Sequence, residues 1–361
     1  MSDLVQPRDD LVALAGYHSP QVDVPVRLNT NESPYAPPPA FIEQWQSALR
    51  DVAWNRYPDR AAVALRESLG AFLGQPAERF FCANGSNEVL QTILLTYGGA
   101  GRRAALFEPT YALHSHIARI TGTEIVTGTR TPTFAIDLDD ADALVASHAP
   151  SVVFVCTPNN PTGTTEARDT VQRLCDLAAR SRALLVVDEA YGEFAPWSAM
   201  ELVDESRPLV VVRTYSKVWS LAAARLGFLV GPAWVVETLE NVALPYALST
   251  PTQLAGTIAL QFATEMERRV ASLVEERGRV FAALAGTNGV DVFPSGANFL
   301  LFRVDRDARA LWERLLERDV LVRDFSKWPG IEGCLRVTIG TATENDAFLA
   351  ALDAALAEES G

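Results

Sequence analysis

The sequence predicts an α/β protein: a large, mostly parallel sheet with helices on both faces, and a second, smaller α+β domain. Three observations carry this expectation. Short continuous apolar runs recur at 79–83, 103–107, 151–156, 183–187, 209–212 and 226–230. Strands covered on both faces read as unbroken apolar runs, whereas one-sided strands alternate. Amphipathic segments at 61–73, 87–97 and 166–180 fall between these runs, the rhythm of strand–helix–strand units. After about 232 the rhythm changes to a helical stretch reaching 285, interrupted by Pro245, and then to a strand at 298–303, a helix at 306–319 and strands at 320–323 and 334–339.

The N-terminal 1–40 carries prolines at 20, 25, 34, 37, 38 and 39 and little helical period, so it is expected to be an irregular arm that joins the smaller domain. The partition that follows is an arm at 1–40, a large domain at 41–265 and a small domain at 266–361. Asp137-Leu138-Asp139-Asp140 reads as a solvated loop opening a helix.

Composition narrows the function classes. The chain has 361 residues, 48% of them hydrophobic, and a formal charge of −14. That charge argues against a nucleic-acid or anionic-membrane surface, though it leaves room for a locally basic pocket. Cys82, Cys156, Cys175 and Cys334 form no Cys-x-x-Cys pair and read as reduced, buried residues of a cytoplasmic protein. The start, Met1-Ser2-Asp3-Leu4, has no signal-peptide pattern, and no apolar run is long enough to span a bilayer. His114 and His116 are two apart and point to different faces of a helix, so they read as ordinary helix residues and no metal site is expected.

The polar residues converge. In open α/β sheets, ligands bind beyond the carboxyl ends of the strands. Here the run at 79–83 ends in Asn84-Gly85-Ser86-Asn87 and that at 151–156 in Thr157-Pro158-Asn159-Asn160-Pro161-Thr162-Gly163. The run at 183–187 ends in Asp188-Glu189-Ala190-Tyr191, and that at 209–212 in Arg213-Thr214-Tyr215-Ser216-Lys217, with Arg225 close behind. Gly85-Ser86-Asn87 opens a helix, whose free N–H groups suit an anion; a simple cap by Ser86 or Asn87 is the plainer reading. Ser216 and Arg225 add a hydroxyl and a cation, which tilts the set to a phosphate cradle. Asp188, at the mouth of a buried strand, needs a partner: a cap, an ion pair or a protonated ring nitrogen. Asn160 and Tyr191 could donate to a ring oxygen or serve as turn residues, and Tyr111 could stack on a flat ring or pack at a helix start. Lys217 beside Ser216 has the setting of a lysine that holds an aldehyde cofactor covalently.

Together these residues resemble the pyridoxal-phosphate enzymes of the aspartate-aminotransferase fold, fold type I. They are most similar to the histidinol-phosphate aminotransferase branch of actinobacterial type. The resemblance runs nearly end to end. It includes Leu28-Asn29-Thr30-Asn31-Glu32-Ser33-Pro34, Asn55-Arg56-Tyr57-Pro58-Asp59, Pro109-Thr110-Tyr111, Ala297-Asn298-Phe299, Val322-Arg323-Asp324 and Leu335-Arg336-Val337-Thr338-Ile339-Gly340 as well as the strand-end motifs. The resemblance implies pyridoxal 5'-phosphate bound as an imine to Lys217, which also shuttles the proton. It implies Asp188 on the ring nitrogen, Asn160 and Tyr191 on the ring oxygen, and Tyr111 stacked on the ring. Gly85, Ser86, Asn87, Ser216 and Arg225 would hold the phosphate, with Tyr57 from a partner subunit. Arg336 and Arg323 would grip the substrate's anionic groups, with Tyr17, Asn31 and Tyr246 nearby. It implies a homodimer with shared sites, the arm making part of the contact, and ping-pong transamination between histidinol phosphate and 2-oxoglutarate.

The sequence departs from the family habit at Val218-Trp219-Ser220, Ala222-Ala223-Ala224, Ala247 and His18-Ser19-Pro20. These positions are expected on the substrate side and keep open a donor such as an aromatic or other specialised amino acid. A decarboxylase resembling those of threonine phosphate shares the fold. A cofactor-sensing regulator would need a DNA-binding domain, for which this acidic chain has no room at its start.

Overall fold

The computed structural model describes residues 21–358 together with residues 5, 7–12, 14 and 16. Its strands are β1 (Val26–Leu28), β2 (Phe80–Ala83), β3 (Arg103–Glu108), β4 (Glu124–Thr129), β5 (Val152–Cys156), β6 (Leu184–Asp188), β7 (Leu209–Thr214), β8 (Gly227–Val230), β9 (Val290–Val292), β10 (Phe299–Val304), β11 (Val320–Asp324) and β12 (Cys334–Thr338). They form a seven-stranded sheet ordered β2-β8-β7-β6-β5-β3-β4 and a five-stranded sheet ordered β1-β11-β12-β10-β9. In the large sheet β4, β3, β5, β6 and β7 run parallel, and β8 is antiparallel to both its neighbours.

The unbroken apolar runs have the expected cause. Every residue of β5, β6, β7 and β8 is buried. Leu185, Val187, Val153, Val155, Leu209 and Val211 enter one core, and Leu184, Val186, Val152, Phe154, Val210 and Val212 enter another on the opposite face. The two-residue period of a strand divides each run between two layers of helices. Each buried Val or Leu contributes roughly 1.5–3 kcal/mol, so a one-residue slip in any central strand would exchange the two faces and is strongly disfavoured.

The arm is not irregular throughout, which corrects the reading of 1–40. Val26–Leu28 pairs in parallel with β11, and Val22, Val24 and Val26 pack on the core. This alternating Val pattern was hidden among prolines. Strand β4 was also missed: it is the sheet's edge, buried only at alternate positions, so it lacks a continuous apolar run. The helical stretch from 232 resolves into Ala233–Val242, Thr250–Ala259 and Ala263–Ala285, with Pro245 in the first gap. The long helix Ala263–Ala285 touches β9 and β10 on one side and the Gly192–Phe194 turn of the large sheet's layer on the other. Asp137 caps the helix Leu138–His148 by accepting from the N–H groups of Asp139 and Asp140, as its acidic start suggested.

Arg213 is directed away from the strand-end rim. It lies on the odd-numbered face of β7, where its Nε and Nη2 donate to Glu189 Oε2 at 3.0 and 2.7 Å, and Nη1 lies 3.2 Å from Glu193. Ser198 adds a bond to Glu189 at 2.8 Å. The network ties β7 to the segment after β6 beneath the rim. Removing one member of a buried charge pair strands its partners. Arg213→Leu is therefore expected to lower stability by about 3–5 kcal/mol, read as the shift of the denaturant midpoint. A loss under about 1 kcal/mol would mean that the carboxylates are solvated.

Candidate active site

The carboxyl ends of β5, β6 and β7 open onto a cavity of about 400 Å³. Its walls include Asn160, Asp188, Tyr191, Ser216, Lys217 and Arg225 from the large sheet's rim, and Arg336 from β12. Thus the strand-end residues singled out in the sequence do meet, and the five-stranded sheet adds the opposing wall.

Asp188 ends β6 on the same face as Phe154, because side chains alternate along adjacent parallel strands in register. The helix Ala112–Ile120 crosses that face and delivers His114, whose ring stacks on Phe154 at 4.8 Å. His114 Nε2 lies 2.9 Å from Asp188 Oδ2, both side chains essentially inaccessible, and the Ala190 N–H donates to Oδ1 at 3.1 Å. His114 was misread as an ordinary helix residue. The missed signal is its spacing: His114, Ile117 and Ala118 fall at i, i+3, i+4, which is the buried face of that helix. His116 plays no part, and no metal-ligating cluster occurs among the described residues.

The helix Ser86–Tyr97 begins after Gly85, which has φ +80°, and no side chain caps it, so the simple-cap reading fails. A Cβ on Gly85 would lie 2.5 Å from Arg225 Nη2, and one on Gly227 2.2 Å from the Ser86 nitrogen. Glycine is required at both for the backbone and the guanidinium to approach this closely. Arg225 Nη1 donates to Ser216 Oγ at 3.4 Å, and Thr214 Oγ1 to the same oxygen at 2.9 Å. Helix N-terminus, hydroxyl and guanidinium meet at one point, the chemistry of a phosphate cradle. Asn87 and Tyr111 lie beside it, with the Tyr111 hydroxyl donating to Asn87 Oδ1 at 3.4 Å and its ring edge-on to His114.

The Tyr191 hydroxyl accepts from Asn31 Nδ2 at 2.9 Å and Asn160 Nδ2 at 3.4 Å. Both bonds take up its lone pairs and leave its own hydrogen to donate. Burial pushes its pKa up, so it stays a phenol. Asn31 is itself fixed from the small sheet, by bonds of 3.0 Å with the hydroxyl of Thr338 and by Asn298, which donates to the Asn31 carbonyl at 3.2 Å. Lys217 is half-buried, with Nζ donating to the Thr30 carbonyl at 3.0 Å. Burial, aided by Arg336 and Arg225 against the pull of Glu32, lowers its pKa to about 8. Neither the Thr30 carbonyl nor Glu32 was foreseen at the lysine.

Arg336 donates to the Asn160 side-chain oxygen and, at 2.8 Å, to the Asn29 carbonyl. Arg323 is its cross-strand partner and lines a smaller recess that shares Tyr111, Asn160 and Arg336 with the cavity. Tyr57 and Tyr246 do not line the cavity. They stack on each other with centroids 4.6 Å apart, and Tyr57 is 81% exposed. Tyr17 and His18-Ser19-Pro20 lie outside the described residues. Ala222 and Ala223 do line the cavity, whereas Val218 and Trp219 turn the other way. The Trp219 ring packs on Tyr215 at 5.3 Å and Phe72 at 5.7 Å, so this departure from the family habit is a core substitution and the substrate-side reading of it is corrected.

An aldehyde-bearing pyridine with a phosphate fits these walls. The cradle suits the phosphate, the Asp188 carboxylate suits a ring N–H, the Tyr191 and Asn160 donors suit a ring oxygen, and the Lys217 amine faces the remaining space. Comparison with known proteins agrees. The family described as aminotransferase class I and II matches residues 23–352. The histidinol-phosphate aminotransferase of Mycolicibacterium smegmatis is 45% identical over 354 residues, spanning 95% of this chain and 92% of that one. That of Rhodococcus opacus is 44% identical over 368 residues, spanning 99% and 94%. In structure, the histidinol-phosphate aminotransferase of Sinorhizobium meliloti in complex with pyridoxal-5'-phosphate superposes with a TM-score of 0.90 at 22% identity over 99% of both chains. The L-threonine-O-3-phosphate decarboxylase of Porphyromonas gingivalis superposes with a TM-score of 0.79 at 22% identity, over 92% of this chain and 99% of the other. With the family pattern over nearly its whole length and relatives at this identity, the chain belongs to the class I and II aminotransferases.

Proposed function

We propose that this chain is a pyridoxal-phosphate-dependent transaminase that moves the amino group of histidinol phosphate to 2-oxoglutarate. The observation that carries the reading is the opposition, across one cavity, of a lowered-pKa lysine on a phosphate-cradle rim and the small sheet's Arg336, whose cross-strand partner Arg323 lines the adjoining recess. The cofactor and a phosphorylated amine each need such a cationic end. The relatives of about 45% identity bear the same activity in their names.

When bound, pyridoxal phosphate supplies an aldehyde that exchanges between amines and a ring that accepts an electron pair. The chain's residues do the rest. Ser86, Ser216 and Arg225 hold the phosphate, with Gly85 and Asn87 shaping the turn. Asp188, held by His114 and the Ala190 N–H, keeps a proton on the ring nitrogen. Tyr191 and Asn160 would donate to the ring oxygen, and Tyr111, which lines the cavity, would lie against the ring. Lys217 Nζ, freed as its neutral amine, takes the proton from the donor's α-carbon and returns it on the other side of the exchange. Arg336 binds the anionic end of either substrate, joined by Arg323 for a phosphate, with Asn31 at the wall.

The decarboxylase reading rests on likeness of fold alone. An aromatic-donor reading keeps some support from Phe325 and Trp328 in the recess. Steady-state rates with histidinol phosphate, phenylalanine and glutamate are expected to favour histidinol phosphate by at least about 10²-fold in kcat/KM. A preference for phenylalanine, or carbon dioxide release without keto acid, would sink the reading. Lys217→Ala should lower turnover by roughly 10³-fold or more while the protein still binds the cofactor and melts as one unit.

The sign of the pH dependence follows from the lysine. Its neutral form is the base, and its pKa stands at about 8 in place of the usual 10.5. The amine-donating half-reaction, followed by stopped flow, should therefore accelerate as pH rises through about 8 and level off above it. A rate still climbing near the ordinary lysine range would show that burial does not tune Nζ.

A homodimer with shared sites is part of the proposal. Trp54, Tyr57, Leu244 and Tyr246 are exposed at 67, 81, 80 and 44%, and the Tyr57–Tyr246 stack joins two of them. Such exposed apolar residues suit a cover, and a second copy would bring Tyr57 to its neighbour's cavity. Light scattering should give twice the mass of 39.2 kDa, and Tyr57→Asp should shift the protein toward monomer with loss of turnover. A fully active monomer would refute the shared site.

A further inference from the structure

Val218 and Trp219, which depart from the family habit, both line a second cavity of about 400 Å³ behind the lysine turn. It lies between the helix Val63–Leu73 and the long helix Ala263–Ala285. Its walls are largely apolar. The Trp219 ring is braced by Tyr215 at 5.3 Å and meets Phe72 edge-on at 5.7 Å, and the long helix adds Met266 and Val270. Phe72, Glu267 and Ala271 line the cavity and are also exposed, so it opens to solvent. None of these residues belongs to the exposed set proposed above to meet a second copy. The charged groups in the walls favour one sign. Arg213 is the cation there, and its three nitrogens are already engaged, Nε and Nη2 by Glu189 and Nη1 by Glu193. Glu193 therefore shares its cation, and Glu267 has no hydrogen bond or ion pair among the described residues. Counting Glu189, three carboxylates stand against one guanidinium.

A cavity of this size with apolar walls and a few polar groups at one end suits a small molecule. Aromatic faces attract a cation through their quadrupole. Burial raises the pKa of Glu193 in spite of Arg213, so its charged form still gains from a further cation. We infer that this cavity is a second small-molecule site, separate from the active site, that takes an aromatic monocation: the ring packs among Phe72, Tyr215 and Trp219, and the charge lies toward Glu193 and Glu267. A phosphate or carboxylate finds no disengaged cation among the described lining residues, so neither proposed substrate suits it. The site touches the segment that carries Lys217 from behind. The Leu221 N–H donates to the Tyr215 carbonyl at 3.1 Å and closes a turn that holds Lys217 and Trp219 together. An occupant therefore meets that turn without entering the active-site cavity.

The test is isothermal titration calorimetry of the cofactor-loaded protein with benzyltrimethylammonium, an aromatic cation that cannot form an imine. One molecule should bind per chain, with a Kd on the order of 0.1 mM. Benzyldimethylcarbinol, which keeps the shape and lacks the charge, should bind at least about tenfold more weakly. Glu267→Gln, at an exposed position, should weaken the cation about threefold and leave the carbinol unchanged. Ala271→Trp, which fills the cavity from the long helix, should abolish binding of both; if it does not fold, the loss in Glu267→Gln decides. Saturating 2-oxoglutarate with inorganic phosphate should not displace the cation, and the cation should leave the KM for either substrate within about twofold. No saturable binding by the parent, equal affinity for the carbinol, binding untouched by Glu267→Gln, or competition with a substrate would each overturn the site. If the parent turns over neither proposed substrate, the proposed function fails, and the calorimetry still decides this site.

Discussion

Everything in this molecule depends on the double-sided burial of β5, β6 and β7. A strand covered on both faces has no solvent side on which to place a polar residue, so its polar residues collect where the strand ends. Three such strands side by side, all pointing the same way, bring Asn160, Asp188 and the Ser216-Lys217 turn to one rim. The apolar core is thus the reason that the reactive groups converge, and register errors are suppressed by the same alternation that feeds two separate cores.

The rim is then tuned by polar groups buried with partners. Asp188 is held by His114 and a backbone N–H, Tyr191 by two amide side chains, and Arg213 by a pair of glutamates under the rim. Buried polar groups are costly when orphaned and rigid when satisfied. The result is a set of donors and acceptors with little freedom to reorganise. Lys217 is the exception. Its amine donates to a carbonyl, and burial together with two nearby cations outweighs the pull of Glu32, so its charged form is disfavoured.

The small sheet supplies a different kind of group. Its strands β11 and β12 carry cations where β5–β7 carry donors and a base, and it fixes the 29–32 loop from below through Thr338 and Asn298. The two sheets are nevertheless coupled, because Arg336 of β12 donates to the Asn160 side chain and helps to lower the pKa of Lys217. The replacement of the family's usual residues at 218–219 falls outside this coupling, since Trp219 fills core space behind the lysine turn.

The sequence by itself determined the central strands, the helices between them and the strand-end polar residues that line the cavity, because each is written locally: an apolar run, then a turn, then a polar residue. It did not reveal the strand hidden in the arm or the edge strand β4, whose one-sided burial leaves too short a pattern to read. Only the tertiary structure decided that His114 meets Asp188, that Trp219 faces away from the cavity, and that Arg323 and Arg336 share one aromatic ring. Those three are matters of which face of an element meets which neighbour. The physical reason is that periodicity states that a face is buried, while the packing of one element across another states against what.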